Sequence, residues 1–339
     1  MRATIETCVT KALAGISPAV SQRFVLNPRK TLQEDIGLTV RAVDHLDFAR
    51  DDGGICDGIS YLEERVILYR RTGNRRENFT LAHELGHWLV DQGNEIYDLL
   101  ATQAESAKQL ESVCDCIAQQ LLLPAHLVES TVSTEPIQAR HVTDLYASTS
   151  ASLPACAIAL ARRLPGLGAV VVIDRMTQTV EYASVRPDDD NGWPLVYPWP
   201  RQEVPAGHPL RNLKANATLR RRTFWETRWG RRDDYYLDAL ATGRRTIAIL
   251  SGSDLWGAER FHPQSIREFD RRPETEIECC RQVRKVRAWP CDACKEPHCP
   301  VCGRCRCDRR ASAEVLCKGT CAMKYLPHLL MNGLCGDCR

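Results

Sequence analysis

The sequence has little that would place the chain in a membrane or attach it to a strongly charged partner. No apolar run approaches the roughly 18 residues that a membrane-spanning helix needs, so we predict no membrane partner. With 45 basic and 43 acidic residues, the formal net charge is only +2, which provides no general attraction to nucleic acid. The first apolar stretch is interrupted by Glu6, Thr7, Thr10 and Lys11, unlike a secretory signal. We therefore predict a cytoplasmic protein.

Cysteine, by contrast, is abundant and unevenly distributed. Of the 17 cysteines, 12 lie between Cys279 and Cys338, and the others are scattered through the rest of the chain. Disulfides are rare in the cytoplasm, so clustered thiols in such a chain are more typical of metal sites. We predict that the clustered cysteines bind metal and that the scattered ones are small buried apolar residues.

Four stretches of the 339-residue chain differ in pattern, which predicts several domains. Residues 1–135 mix helical and strand patterns, and residues 136–165 form a short Ala-rich helical unit. Residues 166–278 contain strand-like runs that predict a small α+β domain, and residues 279–339 form a Cys-rich tail. The predicted fold class is therefore α+β.

The strongest functional signal is an HExxH motif on the predicted helix that begins at Leu81. His83 and His87 are four residues apart, so their side chains project from one helix face and can share a metal ion. Neutral imidazole nitrogens suit Zn²⁺. The carboxylate of Glu84 lies where it can act as general base on a water that the metal activates. The motif predicts the site of a zinc hydrolase.

A catalytic zinc ion needs a third protein ligand and an open position. A second predicted helix has an apolar stripe that begins at Leu110, and Glu111 and Asp115 adjoin this stripe one turn apart. We predict Glu111 as the third ligand and Asp115 as the carboxylate that orients a ligand histidine through its second ring nitrogen. Glu95 and Glu105 are the weaker alternatives for the ligand, and solvation of an exposed edge is the alternative role for Asp115.

Two segments resemble the motifs of the ImmA/IrrE metallopeptidases. Phe79–His87 is similar to the active helix of that family. Glu111–Pro124 is similar to its second motif, in which a Glu stands three residues before Ala-Asn or Ala-Asp. Cys114, Ile117 and Leu123 replace the usual Ala, Phe and Met of this motif and keep their size and polarity. The two motifs in this order and spacing are specific to the family.

The resemblance extends over about residues 30–165 and implies a zincin-like metallopeptidase core. It implies a zinc ion held by His83, His87 and Glu111, with Glu84 as the general base; Mn²⁺ is an alternative ion at this site. It also implies an endopeptidase that cleaves a helix-turn-helix transcriptional repressor.

Three further segments have informative local patterns. Residues 65–70 predict a strand, which in a zincin would line the cleft and bind substrate by strand addition. Residues 144–164 weakly resemble the helix-turn-helix that follows the peptidase core of this family. Because residues 142–161 contain no Lys or Arg, we interpret them as packing helices. Residues 211–232 contain eight basic residues among aromatics, which can bind nucleic acid, but we favour an edge strand whose aromatics enter the core.

The tail contains Cys-x-x-Cys pairs of the kind that form zinc-binding knuckles. Ten of its cysteines are the predicted ligands of about two structural zinc ions: Cys291, Cys294, Cys299, Cys302, Cys305, Cys307, Cys317, Cys321, Cys335 and Cys338. Cys279 and Cys280 are interpreted as a separate or inert element, and His298 and His328 are alternatives to a thiolate. The sequence does not determine how the ligands pair, and an iron–sulfur cluster is the alternative to zinc.

Together, these patterns predict a zinc-dependent endopeptidase with a C-terminal zinc-finger-like module, acting in the regulatory proteolysis of a helix-turn-helix repressor. The alternative is a regulator that binds nucleic acid or protein through its zinc fingers on an inactive peptidase scaffold. The tail has 12 basic and 5 acidic residues, but two tetrathiolate zinc centres would reduce its charge to about +3. Nucleic acid bound by the tail or by residues 211–232 is therefore the weaker choice of partner.

Overall fold

A computed structural model describes most of the chain. The described residues are 2–44, 46, 57–101, 106–259, 267–280, 282–312, 315–321 and 323–338. They form two compact units, one extending to residue 270 and the other beginning at Arg271. The first unit has an extensive apolar interior, whereas the second has a small one.

The first unit begins with helices and short strands, as its mixed sequence pattern predicts. Its elements in chain order are α1 (Arg2–Leu13), α2 (Pro18–Leu26), α3 (Pro28–Glu34), β1 (Thr39–Val43), β2 (Gly58–Tyr61), β3 (Val66–Arg70), α4 (Arg76–Asp91), α5 (Asn94–Ala101), α6 (Ser106–Leu122) and α7 (Ala125–Val132). Their buried side chains belong to one continuous apolar core, which positions α4 and α6 side by side.

The strands of this region form a sheet of order β1-β3-β2, with β1 parallel and β2 antiparallel to β3. The strand predicted at residues 65–70 is present as β3, but it lies in the centre of the sheet. Its prediction as the edge strand of the cleft is therefore wrong, because both sides of β3 are already paired. The edge strand that packs against α4 is β2, whose four residues are too few to show a periodic pattern.

Helix α4 carries the HExxH motif and starts earlier than predicted. The sequence predicts a helix from Leu81 to about Asp91, whereas the helix begins at Arg76. In its first turn, the carboxylate of Glu77 accepts hydrogen bonds from the backbone N–H groups of Thr72 and Gly73, both at 2.6 Å. These bonds fasten the preceding turn to the helix, and the negative charge suits the positive end of the helix dipole.

Helices α4 and α6 approach closely where the predicted metal ligands lie. A Cβ atom at Gly86 would lie 3.0 Å from the Cα atom of Cys114 and 3.1 Å from its Cβ atom. Only glycine leaves room for this approach, and the small Cys114 side chain is fully buried against it. The Gly within the motif therefore sets the distance between the two helices.

Helices α8 (Ala139–Ser148) and α9 (Leu153–Ala161) form the Ala-rich segment. The Ser152 side chain caps α9 by accepting a hydrogen bond from the N–H of Ala155, at 3.4 Å. Cys156, Ala157 and Leu160 are fully buried where α9 packs on the following strands. The segment thus has the packing role that its lack of basic residues indicates. No helix in the described part of the chain is long and apolar enough to cross a membrane.

A second, larger sheet completes the first unit. The strands in chain order are β4 (Gly168–Asp174), β5 (Thr179–Arg186), β6 (Trp193–Pro194), β7 (Thr218–Glu226), β8 (Arg232–Ala241), β9 (Arg245–Ser251) and β10 (Phe269–Asp270). The five-stranded antiparallel sheet has the order β5-β4-β9-β8-β7, and β6 pairs with β10. The sequence runs at residues 169–173 and 179–183 predict a hairpin and the run at residues 245–250 predicts a further strand; β4, β5 and β9 confirm both predictions. Val170 and Val172 face the helices, while Val171 and Ile173 enter a second core.

The basic segment at residues 211–232 contributes β7, an edge strand of this sheet. Arg220 pairs with Asp238 at 3.0 Å and Arg222 with Asp234 at 2.8 Å, both across the β7–β8 hairpin. Trp225 is fully buried in the second core. The preferred interpretation is confirmed for the edge strand and for Trp225, and the neighbouring acidic residues neutralise these arginines, but Trp229 lies beyond the strand and is exposed.

The second unit contains short elements and little apolar interior. Its elements are β11 (Glu274–Cys279), β12 (Gln282–Arg287), α10 (Arg306–Ala311), β13 (Val315–Leu316) and β14 (Lys324–Tyr325). Antiparallel pairing joins β11 to β12 and β13 to β14. Among the described residues of this unit, the buried apolar cluster comprises Ile277, Cys279, Val286 and Cys299. Such a small core cannot stabilise a unit of this size, so another source of stability is required.

Candidate metal centres

The residues predicted as catalytic metal ligands converge between α4 and α6. The Nε2 atoms of His83 and His87 lie 3.2 Å apart. The Oε2 atom of Glu111 lies 3.3 Å from Nε2 of His83, and its Oε1 atom lies 3.3 Å from Nε2 of His87. Potential ligand atoms of the three residues all lie within 4.8 Å of one another. This spacing allows one ion to contact all three.

The donor set fits a divalent cation. The carboxylate of Asp115 lies 2.8 Å from Nδ1 of His83 and can only accept a hydrogen bond, so this nitrogen carries the proton. In the neutral ring, Nε2 of His83 is then a lone-pair donor facing the carboxylate of Glu111. Lone pairs that face each other in this way repel unless a proton or a cation lies between them. Two imidazoles and one carboxylate are the ligand types of a catalytic zinc site.

The electrostatics of the cluster also favour a positive charge at this point. Burial lowers the pKa of His83, but hydrogen bonds to Asp115 and Glu111 outweigh this effect and raise that pKa to about 9. Hydrogen bonds from His83 and His87 hold the pKa of Glu111 well below its usual range. Carboxylates that stabilise a proton on an imidazole also stabilise a metal cation in its place.

Glu84 lies beside the cluster but outside the set of ligand atoms. Its side chain is buried, with the residue only 3% exposed, and the hydroxyl of Ser60 lies 2.6 Å from Oε2, where it can donate a hydrogen bond. Ser60 belongs to the edge strand β2, so that strand orients the carboxylate. A Cβ atom at Gly58 of the same strand would lie only 2.7 Å from Oε1 of Glu84. Gly58 and Ser60 therefore fix the position of Glu84, a role that sequence reasoning missed.

Gly58→Ala is expected to displace the Glu84 carboxylate, because the new methyl group would also lie 2.5 Å from Cγ2 of Thr80. Any hydrolysis that depends on the Glu84 carboxylate should fall by about 100-fold, the effect of a displacement on the order of 1 Å at a reacting group. Zinc bound to His83 and His87 should be unchanged. The matched control is Gly166→Ala, since the space around Gly166 is open. Equal activity of both variants would contradict this role of Gly58.

Of the two weaker alternatives for the third ligand, the structure describes only Glu95, which lies away from this site. Glu95 lies on α5 and forms an ion pair with Lys11. Glu105 lies outside the described residues. Asp115, for which a solvating role was the alternative, has its Oδ1 atom within hydrogen-bond distance of His83.

Glu111→Ala is expected to weaken zinc binding by more than the roughly 10- to 100-fold typical of a residue that only supports a ligand. Glu95→Ala serves as the control, because that residue is mostly exposed and paired elsewhere. The measurement is a chelator competition that follows the most readily exchanged zinc ion of the whole chain. Equal zinc affinity in both variants would remove Glu111 from the ligand set.

The tail cysteines come together in three groups of four. The groups are Cys279, Cys280, Cys299 and Cys302; Cys291, Cys294, Cys305 and Cys307; and Cys317, Cys321, Cys335 and Cys338. The sequence predicted about two groups from ten cysteines and left the pairing open. The structure adds Cys279 and Cys280 to the candidate ligands, because the turn of the β11–β12 hairpin brings them to the pair Cys299–Cys302. His298 lies near Cys305 and Asp308 in an overlapping set.

The third and second groups have the local hydrogen bonds expected around metal-ligating thiolates. The backbone N–H groups of Gly319 and Cys335 both donate to the sulfur of Cys317, at 3.3 Å. A hydrogen bond at the backbone of Glu296 lowers the pKa of Cys294 in the second group to about 6. Backbone donors of this kind stabilise the deprotonated thiol, the form that binds metal.

Two histidines, a carboxylate and a neighbouring buried glutamate are the side chains of a metal-dependent peptidase site. Residues 34–136, which contain all of them, match the family model of the IrrE N-terminal-like domain, Peptidase_M78. The chain is also 26% identical, over 207 residues, to the radiation response metalloprotease IrrE of Deinococcus deserti, covering 58% of this chain and 74% of that protein. Residues 34–136 are therefore similar to the IrrE N-terminal-like domain, in agreement with the two motifs.

A solved structure also aligns with the chain. It is a Mycobacterium tuberculosis transcriptional regulator, with a TM-score of 0.40 and 12% identity, and the alignment covers 74% of this chain and 76% of that chain.

Proposed function

We propose that the protein is a zinc-dependent endopeptidase. The observation that carries this proposal is the convergence of His83, His87 and Glu111 next to the buried carboxylate of Glu84. The match of residues 34–136 to a peptidase family supports it. His83, His87 and Glu111 would hold the ion, and Asp115 would keep His83 in the tautomer that binds it. A zinc ion held there would supply Lewis-acid activation of water at neutral pH.

The proton transfers are assigned to Glu84. Its carboxylate accepts a proton from the attacking water and delivers it to the nitrogen of the leaving amine, so one group acts as base and then as acid. The hydroxyl of Ser60 holds Oε2 of Glu84 and leaves Oε1 for the proton. Burial of Glu84 limits the access of bulk water to this carboxylate.

The substrate is proposed to be a protein in extended conformation. Strand β2 is the edge of the small sheet and carries Ser60, so a peptide added to that edge would run past Glu84. The ImmA/IrrE resemblance supports a helix-turn-helix repressor as this protein. The tail would then be a zinc-ordered interaction module and not the site of chemistry.

The proposal is tested by incubating the full chain, loaded with Zn²⁺ or Mn²⁺, with a panel of purified helix-turn-helix repressors and with a peptide library derived from whole-cell protein. Mass spectrometry should find discrete cleavage sites. The control is the chain with His83→Ala and His87→Ala. Identical products from that control, or intact peptides throughout the library, would contradict the peptidase function; cuts in the library alone would reject only the repressor substrate.

A further inference from the structure

The sulfur atoms of four tail cysteines form one small cluster. Two of these cysteines are among the ten ligands that the sequence predicts, and the other two are not. The cluster joins Cys279 and Cys280, at the end of β11, to Cys299 and Cys302, and all four sulfur atoms lie within 4.8 Å of one another. The sulfur of Cys279 lies 3.7 Å from that of Cys280 and 3.4 Å from that of Cys302.

These distances distinguish between a covalent and a metal-mediated arrangement. A disulfide requires about 2.05 Å between sulfur atoms, and all four cysteines are free thiols. Two sulfur atoms that each bind one tetrahedral zinc ion at about 2.3 Å lie about 3.8 Å apart. The observed separations are close to the second value, so the cluster already has nearly the size of a tetrathiolate site.

The backbone at Cys280 gives independent support. Cys279 and Gln282 are the last paired residues of the β11–β12 hairpin, so Cys280 occupies the first position of a two-residue turn. Its φ of 56° lies in the left-handed region, where Asn, Asp and Gly are the usual residues. Cysteine is unfavourable in this conformation. In a regular strand, the side chains of consecutive residues point to opposite faces, whereas this turn places the sulfur of Cys280 beside that of Cys279.

The partner pair has the backbone of a zinc knuckle. The N–H of Gly303 donates to the carbonyl of Cys299 at 2.8 Å, and Gly303 has a φ of 69°. The pair Cys291–Cys294 is built in the same way, since the N–H of Lys295 donates to the carbonyl of Cys291 at 2.8 Å with a φ of 60°. A knuckle supplies two thiolates, and a closed tetrahedral site needs two more.

We propose that Cys279, Cys280, Cys299 and Cys302 form an additional structural zinc site, interleaved with the site formed by Cys291, Cys294, Cys305 and Cys307. The first and third cysteine pairs along the chain bind one ion, and the second and fourth bind the other. Between the two cysteine pairs of one site, the chain contains one cysteine pair of the other site, so neither site can form independently of the other. The two ions therefore stabilise one cooperative unit, and the β11–β12 hairpin is part of it. This inference does not depend on peptidase activity.

The site changes the electrostatics of the tail. Each tetrathiolate zinc centre carries a formal charge of −2. Three such centres would reduce the charge of residues 279–339 from the +7 of its ionised side chains to about +1. Nonspecific attraction to the phosphates of nucleic acid would then be weak. The proposal thus favours a protein partner for the tail.

The decisive experiment counts metals in the full chain carrying His83→Ala and His87→Ala, so that only the tail contributes. Elemental analysis should give three zinc ions per chain. Two zinc ions would overturn the proposal, as would iron in their place. Replacing both Cys279 and Cys280 by Ser should remove at least one ion. Replacing Glu278 and Val283 by Ser should remove none, because these exposed residues of the same hairpin carry no metal ligand.

A double-mutant comparison tests the interleaved pairing. Under the proposal, replacing Cys279 and Cys280 removes the same ion as replacing Cys299 and Cys302. The quadruple variant should therefore contain as much zinc as either double variant. If the pairs instead bound zinc in sequential order, the quadruple variant would lose one ion more than each double variant, and the interleaved arrangement would be rejected.

Discussion

Glu84→Gln is expected to abolish peptide-bond cleavage while leaving zinc content and folding unchanged. The amide has the shape of the carboxylate and can still accept the hydrogen bond from Ser60, so the packing between β2 and α4 is preserved. It cannot accept the proton of the attacking water. General base catalysis of this kind contributes about 10²- to 10⁴-fold, so the rate should fall at least into that range.

The measurement is the cleavage rate of a peptide found in the library experiment, with zinc determined on the same samples. Glu77→Gln is the matched control, since Glu77 lies on the same helix but accepts hydrogen bonds from Thr72 and Gly73 of the preceding turn. That variant is expected to lose some stability and to keep its activity per folded molecule. Near wild-type activity of Glu84→Gln would show that another group transfers the proton.

The side chains of the proposed metal site were the most predictable part of the molecule. His83 and His87 are related by one helical turn, and Glu111 lies on a helix whose apolar stripe is readable from the sequence, so local periodicity is sufficient to place them. The packing that brings the two helices together depends on contacts between distant residues. Gly86 packs against Cys114, and no local sequence pattern predicts this contact.

The strand that orients Glu84 could not be predicted for a different reason. Strand β2 contains only Gly58–Tyr61, and its role depends on the absence of a side chain at Gly58. Strand β8 was also missed, because Asp233, Asp234 and Asp238 interrupt its apolar pattern. The arginines of β7 neutralise two of these aspartates across the hairpin, and that compensation is visible only once the strands are paired.

The tail shows the same division between local and nonlocal information. Its Cys-x-x-Cys knuckles are local motifs, and the sequence predicts that they bind metal. The assignment of knuckles to sites is nonlocal, since residues 20 or so positions apart share one cluster. Cys279 and Cys280 lack the knuckle spacing, so the sequence does not predict them as ligands. The hairpin turn places them beside Cys299 and Cys302.

Chelation of the full chain is expected to proceed in two stages. The ion held by His83, His87 and Glu111 would have three protein ligands and an open position, so a mild chelator should remove it first. Cleavage should stop at this stage, and the tail should stay folded. The tail ions would each be enclosed by four thiolates and should leave only with a stronger chelator or after thiol modification.

The second stage should unfold the tail, because its buried apolar cluster contains only four residues. Structural zinc supplies an apparent folding free energy of about 10 kcal/mol or more in small zinc modules, far more than this cluster can provide. The first unit has two extensive apolar cores and should remain structured. Limited proteolysis with mass spectrometry separates the outcomes, since cuts should appear after residue 270 only in the second stage. A tail that stays resistant after all zinc has left would show that metal does not stabilise it.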